Sequence, residues 1–192
     1  MRMDRKQSIL EAAIKSFSLF GYKATTMDQI AKLANVGKGT IYTFYANKEE
    51  LFSEIIAGIL HEMRSVADSS YNPELSFFEN AHQALTSLLE YRNKHQLTVK
   101  LLQEKNELGT RVVDQGLSRV EQMIINYIKE RIEAAIKKGE IKNCDPEVTA
   151  FILLKLYVAL VVDWEKNHPP LSKDDIANLF QLYFMNGLSV KG

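Results

Sequence analysis

A single cysteine, four prolines and the want of any long uncharged apolar run set the first limits on this 192-residue chain. Cys144, standing alone, excludes an intramolecular disulfide and any cysteine-based metal cluster, which fits a reducing compartment. The most apolar stretch, FILLKLYVALVVDW (Phe151–Trp164), is 14 residues long and contains Lys155. A membrane span needs about 20 apolar residues, so this stretch reads as a buried helix. The opening MRMDRKQSILEAAIKSF is charged from the start and lacks the apolar core of a signal peptide. Together these features predict a cytoplasmic protein. The four histidines (His61, His82, His95, His168) stand apart, without HxxxH or HExxH spacing, and no glycine-rich phosphate loop or nucleophile elbow is present. The expectation is a protein that is not an enzyme and carries no cofactor or metal.

What is present is helical. Hydrophobic residues make up 46% and charged residues 25%, an ordinary globular balance. No alternating strand-like run occurs, and the apolar residues recur at helical spacing throughout. Ile9, Ala12, Ala13, Phe17 and Phe20 share one face of a first helix that Gly21 ends. Thr26-Met-Asp-Gln29 is a capping box opening a short helix to about Ala34, and Asn47-Lys-Glu-Glu50 opens a longer one to about Ala67. Asn72-Pro73 predicts the start of a fifth helix, with proline at the first helical position. Further helices are expected over about His95–Glu107 and Arg111–Lys138, the latter stopped by Gly139, then from Asp145-Pro146 and from the Ser172–Asp175 cap. The fold class is therefore all-α, with about nine helices.

Net charge zero conceals an asymmetry. Residues 1–48 hold eight Lys/Arg against Asp4, Glu11 and Asp28, a net +5, which leaves −5 on the remainder. A basic head on an acidic body is the electrostatic footprint of a nucleic-acid-binding protein with a second task elsewhere.

Within that head lies MDQIAKLANVGKGTIYTFYA, residues 27–46. A helix-turn-helix needs a short helix, a tight turn and a second helix held steeply across the first. Its apolar fourth, eighth, tenth and fifteenth positions are filled by Ile30, Ala34, Val36 and Ile41, and its small fifth position by Ala31. Its ninth position requires a left-handed backbone and holds Asn35, which tolerates that conformation best after glycine. Lys38, Thr40, Tyr42 and Thr43 then project from the second helix at or near its N-terminus, where such helices meet base edges in the major groove. The threonines can hydrogen-bond bases or touch thymine methyls, Tyr42 offers a hydroxyl to a phosphate, and Lys38 and Lys48 offer charge. Gly37 and Gly39 allow close approach of the backbone.

Residues 9–52, including GYKATTMDQIAKLANVGKGTIYTFYANKEELF, resemble the DNA-binding domain of the TetR family of bacterial transcriptional regulators. The resemblance implies an N-terminal three-helix helix-turn-helix domain (1–48) followed by a C-terminal helical bundle for ligand binding and dimerisation (49–192). It implies that Lys38–Tyr45 is the recognition helix, and that Thr26, Met27, Gly37, Lys38, Thr40, Tyr42, Thr43, Phe44 and Lys48 lie at double-stranded operator DNA. Three positions depart from the family's habit. Phe44 stands where a histidine or tyrosine often reaches a phosphate, Tyr45 where a buried phenylalanine is common, and Met27 lacks a hydroxyl. The pattern leaves open which of Phe44 and Tyr45 faces inward.

The larger part is rich in bulky residues that would simply form its core. The family implies a pocket for a small apolar or amphipathic effector, for which His61, Phe78, His82, Leu102, Met123, Tyr127, Tyr157 and Trp164 are the candidates, because such pockets are apolar with few polar anchors. The helix at Phe151 is apolar nearly all round, more than one chain end can cover, so a homodimer is expected. Phe151, Leu154, Val158, Val162, Ile176, Phe180, Tyr183 and Phe184 are its candidate interface, a four-helix arrangement by resemblance. The leading reading is a homodimeric repressor of a palindromic operator, released by an effector. An activator, a regulator without ligand, or a helical adaptor or carrier whose helix-turn-helix is only structural would share these features.

Overall fold

The computed structural model describes residues 5–94 and 97–189. Among them there is no strand, only an isolated bridge between Ile141 and Ser189. The helices are α1 (Arg5–Phe20), α2 (Met27–Leu33), α3 (Lys38–Phe44), α4 (Lys48–Ser69), α5 (Phe77–Lys94), α6 (Leu97–Leu108), α7 (Arg111–Lys137), α8 (Pro146–Val158) and α9 (Lys173–Phe180). Wider π-turns extend α8 over Ala159–Asp163 and α9 over Gln181–Met185, and a last short turn follows at Asn186–Leu188.

The helix starts follow local chemistry. Thr26 caps α2 with the reciprocal Gln29 bond, Asp145 accepts from the Glu147 and Val148 amides ahead of Pro146, and Ser172 caps α9 with Asp175. The fifth helix departs from expectation. Asn72 and Pro73 form a turn in which the Glu74 amide donates to Asn72, and the helix begins instead at Phe77, just after Ser76. There the Glu79 carboxylate accepts from the Ser76 amide while the Ser76 hydroxyl accepts from the Glu79 amide. A complete Ser-x-x-Glu box outweighs a proline that fits a turn equally well. The expected start of the sixth helix at His95 lies outside the described residues.

The chain divides into two compact units, Met1–Glu62 with Arg92–Val120, and Met63–Tyr91 with Glu121–Gly192. In the first, α1 packs against α2 and α6 through Ile9, Ala13, Phe17, Ile30, Leu97 and Leu101, all buried. Phe17, Tyr22 and Phe52 form an aromatic cluster with ring centroids 4.8–5.9 Å apart. Phe20, expected on this face, is 63% exposed, and Ser16 is buried in its stead, bonded to Thr25. The left-handed Gly21 (φ +84°) ends α1 at that residue and turns the chain toward Thr25, whose hydroxyl donates to the Gly21 carbonyl.

In the second unit, Asp68 near the end of α4 accepts from the Tyr127 hydroxyl (2.8 Å) and Arg131 (2.9 Å) of α7, and Arg131 stacks over Tyr71. Lys173 pairs with Glu90, and Glu140 accepts from the Phe77 amide at the start of α5.

Asn35 adopts φ +54°, the one non-glycine residue with positive φ among those described. A β-carbon without a short polar side chain costs about 1–2 kcal/mol in that conformation. Asn35→Ala is therefore expected to lower unfolding stability by about that amount, and Asn35→Gly to leave the urea midpoint near its starting value.

Candidate nucleic-acid interface

The head is built around a turn. Helix α2 ends at Leu33, Ala34–Gly37 makes the connection, and α3 begins at Lys38 with Gly37 as its cap residue. Asn35 donates to the Lys32 carbonyl and Val36 to that of Ala31, closing the turn tightly. Ile30 and Ile41 are fully buried, and Ala31 and Ala34 nearly so, which clamps the two helices together. These are the positions at which the motif requires apolar or small residues.

Helix α3 has one inward and one outward side. Ile41 and Tyr45 point in, with Tyr45 only 2% exposed, while Phe44 is 37% exposed. Tyrosine therefore occupies the buried place and phenylalanine the outer one. Gly37, Lys38, Gly39, Tyr42 and Thr43 are exposed as well, with Thr40 half-buried. The Thr43 hydroxyl donates to the Thr40 carbonyl (2.7 Å). Lys38 pairs with Asp28 of α2 at 2.9 Å. Both groups are well exposed, so the pair is weak and easily exchanged.

Two residues of the expected DNA-facing set also serve the fold. Met27 is buried, because the first residue of α2 turns its side chain into the core. Lys48, half-buried, donates to the Tyr22 carbonyl (2.8 Å) and the Thr25 carbonyl (2.7 Å), and lies over the Tyr22 ring. Burial pulls its ammonium below the usual lysine value, against the opposing pull of the Glu104 carboxylate. Its charge locks the α1–α2 turn instead of standing free. Sequence reasoning missed Glu104, a buried carboxylate of α6 that accepts from the Tyr22 and Lys23 amides. Only the placement of a glutamate at helical spacing after Leu97 and Leu101 could have signalled it.

The candidate effector residues fall in both units. His61 and Leu102 belong to the first unit and the other six to the second. His61, His82 and Met123 are exposed. Trp164 stacks on His168 (3.9 Å) and donates to the Pro169 carbonyl, and Tyr127 is held by Asp68. Phe78, Leu102 and Tyr157 are half-buried. The interface candidates also divide. Leu154, Val162, Ile176 and Phe180 are buried in the second unit. The outward stripe of α8 is Val148, Phe151, Ile152, Lys155 and Ala159, and Leu182 and Tyr183 (72% exposed) stand out beyond α9. Because α8 is apolar all round, periodicity alone could not say which side faces out. Val158 and Phe184 are half-buried.

This arrangement, a tight turn between two clamped short helices with a polar, exposed second helix, defines a DNA-reading helix-turn-helix. The model of the bacterial regulatory proteins of the tetR family matches residues 9–55. A Bacillus subtilis (strain 168) protein described as an uncharacterized HTH-type transcriptional regulator, YhgD, is 59% identical over 98% of this chain and 99% of its own. An Escherichia coli (strain K12) protein named "Probable acrEF/envCD operon repressor" is 28% identical over 84% of this chain and 76% of its own. Among solved structures, one named as an SmeT–triclosan complex shares the fold, with a TM-score of 0.80, 15% identity and coverage of 98% and 93% of the two chains. The chain belongs to the TetR family of transcriptional regulators, which are DNA-binding proteins and not enzymes. No helix among the described residues is long and apolar enough to cross a membrane.

The turn that Lys48 locks also sets a titration. Burial, reinforced by Glu49 and Glu104, pushes the Tyr22 phenol from 10.0 up to about 12. Unfolded chains release this proton from about pH 10, so between about pH 10 and 12 the folded state binds more protons and stability falls as pH rises. Tyr22→Phe is expected to flatten that part of the stability–pH curve, measured by urea midpoints at stepped pH.

Proposed function

We propose that this protein is a homodimeric repressor that reads a palindromic operator with α3 and is released from it by a small effector. The observation that carries the reading is the two-sided character of α3. Ile41 and the following Tyr45 are consumed in the head's core, and an exposed face of Lys38, Tyr42 and Thr43 beside the half-buried Thr40, with Gly37 and Gly39, is left for a partner. Backbone approach at Gly37 and Gly39, base contacts from Thr40 and Thr43, and phosphate contacts from Tyr42 and Lys38 fit the major groove. Lys38 would exchange Asp28 for a phosphate. Thr26 and Phe44 flank this surface. A relative named as an operon repressor supports repression over activation.

The unpartnered stripe of Val148, Phe151, Ile152 and Ala159, with Leu182 and Tyr183, supports a two-fold dimer. Two recognition helices would then lie about one DNA turn (~35 Å) apart. A fold neighbour named as a complex with triclosan supports a small-molecule effector in the second unit, where Phe78 and Tyr157 are half-buried. Helix α4 would carry its effect. Its first residue, Lys48, holds the α1–α2 turn, and Asp68 near its other end holds Tyr127 and Arg131. An effector shifts the equilibrium only by its differential affinity for the two states. The helical character, family and absence of a spanning helix support a cytoplasmic location.

Footprinting of the purified protein upstream of its own gene, at stepped salt, tests the reading. A two-fold symmetric protected site is expected, lost steeply as salt rises. Tyr42→Ala is expected to weaken it by about 1.5–3 kcal/mol with the salt slope and thermal midpoint unchanged, and Lys38→Ala to lower the salt slope by about one. Binding undiminished by Tyr42→Ala and Thr43→Ala together would remove α3 from the interface and favour a helix-turn-helix that is only structural.

The dimer has its own test. Ile152→Asp places a charge in the centre of the outward stripe, where a monomer tolerates it. Sedimentation equilibrium is expected to show a shift from dimer to monomer with helicity retained. A variant that stays dimeric at micromolar concentration sinks this choice of face.

A further inference from the structure

The turn between α1 and α2 is gripped from two sides by opposite charges. Glu104 of α6 is 4% exposed, a carboxylate that must be fully satisfied to sit there. One of its oxygens accepts from the Tyr22 amide at 2.6 Å. The other accepts from the Lys23 amide (3.0 Å) and from the hydroxyl of Thr110 (3.0 Å), just before α7. On the far side, the Lys48 ammonium takes the carbonyls of Tyr22 and Thr25. Residue 22 thus bridges a carboxylate at its N–H and an ammonium at its C=O, an alignment in which each bond polarises the next.

Packing of α6 on α1 does not need this group. Leu97 and Leu101 lie on the same face at i−7 and i−3 and are 2% and 1% exposed. The third place on that apolar stripe is spent on a carboxylate aimed at backbone, 82 residues away in sequence. Room for it exists because residue 21 is glycine. A β-carbon there would meet a Glu104 oxygen at 2.6 Å, besides being strained at φ +84°. Lys105, next to Glu104, pairs with Asp114 of α7 at 2.8 Å and braces the same junction.

We infer that Glu104 is a positioning residue through which the α6–α7 junction sets the α1–α2 turn, and with it the placement of the helix-turn-helix that begins five residues after Tyr22. This rests on the DNA-binding reading proposed above. Coupling of this kind is reciprocal, so DNA held by α2 and α3 must in turn steady the junction around Thr110.

Hydrogen exchange on the full-length protein, with and without a duplex enriched by that protein from a randomised pool, tests it. In the unaltered protein the duplex is expected to slow exchange over residues 27–44 and, about fivefold or more, over 104–114. Glu104→Gln keeps size but offers one acceptor oxygen for three donors. It is expected to retain the first response and lose the second. Thr110→Val, which removes only the junction's hydroxyl, is expected to lose part of the second response while the Tyr22 and Lys23 amides stay protected, and it carries the test if circular dichroism shows Glu104→Gln unfolded. Protection of 27–44 with no response at 104–114, or with a response equal in all three proteins, overturns the inference and leaves DNA binding standing. A pool that enriches no duplex overturns the DNA-binding reading and this inference with it.

Discussion

Two helices of seven residues cannot hold themselves together. Isolated helices below about 12–15 residues are marginal in water, because nucleation costs several fixed dihedrals before it returns one hydrogen bond. Both α2 and α3 are of that length. Everything around them supplies what they lack: the Thr26–Gln29 cap, the Asn35 turn, and the burial of Ile30, Ala31, Ile41 and Tyr45. The longer α1 packs on α2, and α6 packs on α1 in turn. The DNA-reading surface is therefore a property of the whole first unit and not of the twenty residues that carry the motif.

That dependence explains why charge in the head is divided between two uses. Lys38 stands well exposed beside Asp28, a pair that solvent screens and a phosphate can displace. Lys48 has lost much of its hydration and is committed to two backbone carbonyls, which makes it part of the scaffold. A count of basic residues treats the two alike. Their burial and partners do not, and the net positive charge of residues 1–48 overstates what is free to meet DNA.

The motif was legible in the sequence because its constraints are local. A left-handed backbone selects among very few residues, close helix approach selects small ones, and a capping box is written within four positions. The same reasoning failed where two local signals competed or where the answer lay in tertiary packing. Asn72-Pro73 and Ser76–Glu79 are both plausible starts, and only the second satisfies its amides reciprocally. Phe20 continued the apolar face of α1 on paper, but the helix ends there, and the chain turns away at Gly21. Glu104 was invisible because its partners lie 82 and 81 residues distant. In α8, apolar residues on every side carry no phase, so Leu154 and Val162 could not be told from Phe151 and Ile152 until the packing against the rest of the second unit was known.

The outward stripe of α8 then raises a question of its own, since Lys155 sits in its middle. A lone ammonium there would oppose any partner that covers it, because desolvating an unpaired charge costs several kcal/mol. Lys155 is not alone. It pairs with Glu121 of α7 at 2.5 Å and lies over the Phe151 ring at 5.1 Å. Its charge is thus met from within its own chain. Covering the stripe with a second copy would bury a pair already formed, with the aromatic ring supplying a further favourable face. The lysine inside that apolar run is in this way compatible with a protein interface, because its charge is already answered by Glu121 of α7 before any partner arrives.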